Sequence, residues 1–379
     1  MGIKMKKIIK KIGIGLAAAA LIMVCAVLVY VGYVYVSYKR LPDMLELEIE
    51  EPVTGSGTQD TVKTGVTYRV LTYNIGFGAY TPEFSFFMDG GKSSVGESRE
   101  SVIRTVTGAA DLAAGLKPDF AMFEEVDRDS TRSYHMDQKE ILDEKFGDFY
   151  SDYAQNYDSA FLFYPILEPH GKSRAGITLY SAFPIESAVR RSFPISTSFS
   201  KFFDLDRCYS VSRIPVENGK YLCLYAIHMS AYGNSDTIRE GQIRMLCEDM
   251  AGEYAQGNYV ICGGDFNHDL KALTDDGSER ESWAYPFPRE ELPEGFSFCL
   301  DSFSQEEREQ MWNSARNADM EYAEGVTYTV TLDGFILSDN VVCEEYTHVK
   351  TGYLYSDHDP VILDFSLKGQ EGENIAGAF

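Results

Sequence analysis

A recurring pattern limits what this chain can fold into: short apolar runs give way to polar blocks. In order the blocks are Tyr73-Asn74, Phe123-Glu124-Glu125-Val126, Ile227-His228-Met229, Gly263-Gly264-Asp265-Phe266-Asn267, Leu332-Asp333-Gly334 and Ser356-Asp357-His358-Asp359-Pro360. Short apolar runs bounded by turn signals read as buried strands. The loops at their ends are where function commonly sits on a rigid scaffold. Together the blocks supply carboxylates, amides and imidazoles, the donors that a hard divalent cation and a phosphate ester require.

Strands and helices alternate between these blocks. Thr67 to Tyr73, Phe120 to Phe123, Ile177 to Tyr180, Tyr221 to Ile227, Tyr259 to Cys262, Phe335 to Leu337 and Val361 to Phe365 read as strands. Glu97 to Leu116 reads as a helix, because Val102, Ile103, Val106, Ala109, Ala110, Ala113 and Leu116 recur at helical spacing. Lys117-Pro118-Asp119 ends it. A second helix covers Thr237 to Tyr254, with Ile238, Ile243, Leu246, Met250 and Tyr254 on one face. These elements belong to one domain expected over residues 66–368, large for a single core but suited to a sandwich.

The amino end is built differently. Five lysines (Lys4, Lys6, Lys7, Lys10, Lys11) fall in the first eleven residues, followed by 25 uncharged residues from Ile12 to Val36 and then Lys39-Arg40. That run is long enough to span a bilayer as a helix. A cleavable signal peptide is the rival, with small residues at Ala17 to Ala20, but the apolar run continues well past them. The expected layout is a basic cytoplasmic tail (1–11), a transmembrane anchor (12–36), a linker (37–65), the domain and a disordered tail (369–379). The excess of lysines before the run places the amino end inside the cell and the domain outside, in a single pass through the cell membrane.

Charge narrows the partners. Seven of the 34 basic residues lie in the first 40 positions, leaving 27 against 58 acids beyond them, a net of −31. A surface so negative repels polyanions, so duplex nucleic acid is disfavoured as a partner. Six cysteines lie outside the anchor, an even number that permits disulfides in an exported domain. Cys223 and Cys262 fall inside apolar runs, though, and the six read chiefly as small buried hydrophobes. No CxxC or His/Cys spacing marks a zinc site.

Taken singly, the blocks are ambiguous. Asp265 and Asn267, two apart in an extended segment, share a face, and the glycines before them allow a tight turn. Glu124 and Glu125 should point to opposite faces of a strand, one toward a site and one toward solvent or a basic partner. His228 reads alone as a satisfied core or loop histidine. His358, flanked by two acids, is placed to be polarised by a carboxylate, and Asp333 is a candidate to orient it. Phe84, Phe86 and Phe87 mark a loop beside the site. Tyr153, Tyr157, Phe161, Phe163 and Tyr164 form an aromatic-rich stretch that reads as core, with a ligand platform as the alternative. Arg190-Arg191 and Arg207 read as surface or paired arginines, with anionic-headgroup binding as the alternative.

The ordered set resembles the endonuclease/exonuclease/phosphatase superfamily, the DNase I-like metal-dependent phosphoesterases, over residues 68–365. The resemblance implies an α+β fold, a four-layer α/β/β/α sandwich, here preceded by a single transmembrane helix. It also implies site roles. Asn74 would contact phosphate or order the metal, and Glu125 would bind it, with Glu124 standing where the family commonly has Gln. His228 would contact phosphate or protonate the leaving group. Asp265 would activate or position water, Asn267 would hold it or the phosphate, and Asp333 would orient His358. Asp357 resembles a further metal-proximal carboxylate, while an acidic partner for His228 finds no match. The cofactor implied is Mg²⁺, with Mn²⁺ as a substitute, and the reaction is in-line attack of water on phosphorus.

Three functions fit this reading. One is an anchored phosphoesterase acting on a small or lipid-linked phosphodiester or phosphomonoester. The others are an extracellular metal-dependent nuclease and a non-catalytic binding relative. The oligomeric state is not legible.

Overall fold

A computed structural model describes residues 2–53, 60–202, 205–231, 236–272 and 284–369. The chain opens with helix α1 (Gly2–Ser37) and the short strand β1 (Leu45–Glu46), followed by β2 (Thr67–Asn74), α2 (Arg99–Gly115) and β3 (Phe120–Asp127). Then come α3 (Gln138–Lys145), β4 (Tyr150–Asp158), β5 (Arg174–Ser181), β6 (Ser187–Ser192), β7 (Cys208–Pro215) and β8 (Tyr221–His228). Helix α4 (Asp236–Ala255) leads to β9 (Tyr259–Asp265), β10 (Phe296–Phe298), α5 (Gln305–Gln310), β11 (Ala315–Arg316) and β12 (Thr329–Val330). The last strands are β13 (Asp333–Ser338), β14 (Val341–His348) and β15 (Val361–Leu367).

Two sheets result, ordered β14-β15-β2-β3-β5-β4 and β1-β6-β7-β8-β9-β13-β10. Alternation along each strand explains how they stack. In β2, Tyr68 and Val70 join the core between the sheets, while Leu71 and Tyr73 face the other way. There they meet Val102, Val106, Ala109, Ala110 and Ala113 of α2. Helix α4 covers the second sheet with Ile243, Leu246 and Met250. Helix, sheet, sheet, helix: this is the four-layer α+β sandwich expected. Ser98 caps α2, its hydroxyl accepting from the Ser101 amide.

Several expectations need correction. Leu45 and Glu46 of the expected linker pair with Arg190 and Val189 of β6. Glu50 bridges to Ser151, and Val62 is fully buried beside Val216. The described part of residues 37–65 therefore lies along the domain; 54–59 fall outside the described residues, as does the tail from 370. The glycines before Asp265 make no turn. Both are buried inside β9, because neighbours approach too closely for a side chain: a Cβ on Gly264 (φ 144°) would sit 2.1 Å from the Ile227 carbonyl oxygen. Cys299 and Cys343 form a disulfide, whereas Cys208, Cys223, Cys247 and Cys262 are buried thiols.

Helix α1 is long and apolar enough over Met5–Ser37 to cross a membrane, with a mean hydropathy of 2.8 and most of its apolar side chains exposed, while Val34 is buried.

Candidate active site

The two sheets bring the polar blocks to one end of the molecule. Strands β2 and β3 run parallel and set Asn74 opposite Glu124. Strands β8 and β9 are likewise parallel and set His228 opposite Asp265, with Asp333 of β13 on the other side of Asp265. His358 enters just before β15, whose Val361 pairs with Thr72 of β2. Five strand ends and one loop thus converge.

Asp265 is the hub. Its Oδ1 accepts the Asn267 amide at 2.8 Å and its Oδ2 accepts Asn74 Nδ2 at 3.2 Å. His228 Nε2 lies 3.5 Å and His358 Nε2 3.8 Å from Oδ2. Burial pushes the Asp265 carboxyl up to about 7, with Asp333 adding to the rise and the charge of His358 opposing it. Burial pulls His358 down, but Asp333 Oδ2, 2.8 Å from its Nδ1, together with Asp265 and Asp357, outweighs it. The His358 pKa is thereby raised well above the ordinary imidazole value, which favours the protonated ring. His228 is the opposite case: burial, then the charges of Arg207 and His358, hold it neutral.

The glutamates do not split between faces as simple alternation predicts. The β3–β5 register slips between Phe123 and Val126, and Glu125 takes φ 56°, so one residue bulges out of β3. Glu124 is fully buried, its Oε1 accepting the Thr72 hydroxyl at 2.9 Å and its Oε2 unpartnered among the described residues. Burial, then Asp333, raises its pKa well above the carboxylate range. Glu125 is partly exposed. Burial raises its pKa, Arg132 opposes the rise, and Asp357 adds to it. Asp357, also partly exposed, is raised by burial.

All eight residues singled out from sequence therefore meet at this end. Asn267 is held by its side-chain bond to the Met229 carbonyl and by a positive φ of 51°. No carboxylate occupies His228 Nδ1, which has no partner among the described residues. Two further residues carry no motif that could have marked them. The Ser314 hydroxyl donates to Asp333 Oδ2 at 2.7 Å and accepts the Asp333 amide, fixing the carboxylate that orients His358. Arg207, read as a surface or paired arginine with anion binding as the alternative, is buried with Nε and Nη1 unpartnered among the described residues, and its charge is felt by Glu125, His228 and Asp265. Arg190 and Arg191 are paired instead, Arg190 with Asp206 and Arg191 with Asp43 and Asp249.

A sandwich with a carboxylate–imidazole cluster at the ends of its central strands defines a DNase I-like phosphoesterase, and the chain is an enzyme of that metal-dependent phosphoric ester hydrolase class. It belongs to the Endonuclease/Exonuclease/phosphatase family, whose pattern it matches over residues 71–304. An endonuclease/exonuclease/phosphatase from Beutenbergia cavernae shares the fold at 17% identity and a TM-score of 0.52, covering 80% of this chain and 72% of that one. ANGEL2, a 2′,3′-cyclic phosphatase, aligns at 12% identity and TM-score 0.54 over 86% of this chain and 99% of its own. TDP2 from D. rerio, solved with a single-strand DNA product, aligns at 13% identity and TM-score 0.52 over 79% and 99%. No curated protein matches the chain in sequence.

Proposed function

We propose that this protein is a membrane-anchored phosphoesterase that hydrolyses a phosphodiester or phosphomonoester by in-line attack of water, on a small or lipid-linked substrate. The observation that carries the reading is His358 held between Asp333 at Nδ1 and Asp265 beyond Nε2. Asp265, with its raised pKa, is suited to take a proton from the attacking water. Asn267 and Asn74, each in contact with Asp265, position that water and a phosphoryl oxygen. Cationic His358 meets the negative charge that builds on phosphorus-bound oxygen. His228, neutral, serves the leaving-group side.

Glu125 and Asp357 fit a divalent cation. Both are partly exposed carboxylates whose environment resists ionisation, and Glu125 has no hydrogen-bonded partner among the described residues. Asp265, Asp333 and His358 also bring ligand atoms within 4.8 Å of one another. His358 Nδ1, however, is already engaged by Asp333 Oδ2 at 2.8 Å, which makes that trio the poorer cage. Mg²⁺ needs only one or two carboxylates beside water and substrate oxygens, and when bound it would neutralise developing phosphoryl charge. Mn²⁺ suits the same ligands.

The anchor reading places residues 1–11 in the cytoplasm, 12–36 in the bilayer and 66–368 outside the cell. The Cys299–Cys343 disulfide supports an oxidising compartment. The test uses the full chain in phosphatidylcholine vesicles with Mg²⁺, Mn²⁺ or EDTA. The substrates are bis-p-nitrophenyl phosphate, a phospholipid, RNA and single-stranded DNA. Metal-dependent turnover that falls by about 10²–10⁴ in Asp265→Ala and His358→Ala supports the reading. Turnover confined to nucleic acid replaces it with the nuclease, and silence on every substrate leaves a binding relative.

A further inference from the structure

Between β4 and β5 the chain makes a small hairpin, closed by the paired amides and carbonyls of Leu162 and Gly171. Its tip carries Phe163, Tyr164, Ile166 and Leu167, which are 59, 69, 84 and 99% exposed. Four large apolar side chains in five positions are costly in water and mark an interaction surface. The base, by contrast, is fixed. His170 is buried with Nδ1 on the Ser94 carbonyl, and the Ser94 hydroxyl donates to the Glu168 carbonyl.

The hairpin also touches α1. The Tyr30 hydroxyl donates to the Phe161 carbonyl at 2.9 Å, the Tyr33 hydroxyl accepts the Phe161 amide at 3.2 Å, and the Tyr30 and Phe163 rings pack edge-on at 5.2 Å. Tyr30 lies 19 residues beyond Lys11, roughly 29 Å along a helix, which matches the ~30 Å thickness of a bilayer's hydrocarbon core. With the lysines at one surface, Tyr30 and the hairpin fall at the other, where aromatic side chains are favoured.

Strand register puts the site at this same end. Asp158 and Arg174, flanking the hairpin, pair at the end of the sheet where Asp127 pairs with Ala175, beyond Glu124 and Glu125. The exit from α1 docks through Leu41 and Asp43 on Ser192, level with Cys208 and hence with the His228 end of β8. Tyr164 continues the apolar surface onto Phe87, its ring 5.7 Å away, and so to the loop of Phe86, Phe84 and Tyr80 beside the site.

We infer that the Phe163–Leu167 tip inserts into the interfacial layer of the bilayer that α1 crosses, holding the active-site end of the domain against the lipid surface. This rests on the anchored reading of α1. The contact is apolar rather than electrostatic, as a domain of net −31 requires. It turns the site toward phosphate esters presented by that membrane.

The test is quenching of a polarity-sensitive thiol label by nitroxide phosphatidylcholines, with the full chain in phosphatidylcholine vesicles. Native Cys25, exposed on α1, reports the anchor; Cys208, Cys223, Cys247 and Cys262 are buried. In a Cys25→Ala background, Leu167→Cys reports the hairpin, and Lys368→Cys, an exposed position at the opposite end of β15, is the control. Both substitutions fall on exposed side chains and spare the fold. The expected result is several-fold stronger quenching at Leu167→Cys than at Lys368→Cys by nitroxide near the headgroup, reduced when Ile166→Glu is added. Equal quenching at the two sites, with Cys25 quenched by nitroxide deep in the acyl chains, overturns the docking and leaves the anchor intact. An unquenched Cys25 overturns the anchored reading and the docking with it.

Discussion

Arg207 carries a guanidinium into the interior with Nε and Nη1 lacking acceptors among the described residues, within electrical reach of Glu125, His228 and Asp265. Unsatisfied buried donors cost stability, so a side chain kept in this state is suited to an anionic substrate. Arg207→Met is expected to lower kcat/KM for a phosphate ester by about 10–100-fold, the loss expected for one charge-assisted contact. Its unfolding free energy from urea titration should stay within about 1 kcal/mol of the parent, because no formed bond of Nε or Nη1 is lost. A collapse of stability would instead make Arg207 a structural residue. Gly264 is the reverse case, with no chemistry and strict geometry. Gly264→Ala would drive a methyl to 2.1 Å from the Ile227 carbonyl oxygen at φ 144°. It should cost about 3 kcal/mol or more in chemical denaturation, and His228 and Asp265 would move apart with their strands.

Among the elements, β14 holds a titratable group whose effect has a definite sign. His348 is buried, with Nε2 3.0 Å from the Tyr346 hydroxyl and Nδ1 on the Trp312 carbonyl, and burial lowers its pKa from 6.5 to about 4. Between those values the unfolded chain binds a proton that the folded one refuses. This contribution is therefore whole above pH 6.5 and is lost as pH falls toward 4, by about 3 kcal/mol at most. Buried Asp152 runs the other way: its carboxyl, raised by burial from 3.8 to about 6, favours folding below pH 3.8 and loses that favour as pH rises through 6. His348→Gln should therefore flatten the fall of unfolding free energy with acid between pH 6.5 and 4, measured by urea titration; an unchanged slope would contradict the assignment. Such groups also explain which strands sequence could reveal. Strands β2, β3, β8 and β9 are legible because their inward positions are apolar. Strands β4, β6 and β7 are not, because Asp152 takes the Ser212 hydroxyl at 2.6 Å and fully buried Arg190 is satisfied by Gln155, Ser192 and Asp206. A pattern of apolar residues cannot register a core of paired polar ones. The site divides likewise: the Asp333–His358 pair is legible from its blocks, while the Glu125 bulge, Ser314 and Arg207 depend on register and burial that no short motif encodes.

At the scale of the molecule, charge decides what reaches the site. The net of −31 beyond residue 40 repels anionic substrates in proportion to their own charge. Raising ionic strength from about 0.01 to about 0.15 M shortens the screening length from about 30 to about 8 Å. It should therefore raise kcat/KM for single-stranded DNA more than for bis-p-nitrophenyl phosphate. A basic nucleic-acid binder shows the opposite trend, and a fall with salt here would point to a hidden cationic groove. Were α1 in a bilayer, the path of the chain through β1 would impose a further restriction. Because Leu41 and Asp43 are bound to Ser192 and Leu45-Glu46 are paired with β6, few free residues separate the end of α1 from the body of the domain. A loose leash of 29 residues would let the domain roam about 30 Å, whereas three extended residues reach only about 10 Å. With α1 in a bilayer, such an enzyme serves its own membrane and cannot reach across to a neighbouring cell.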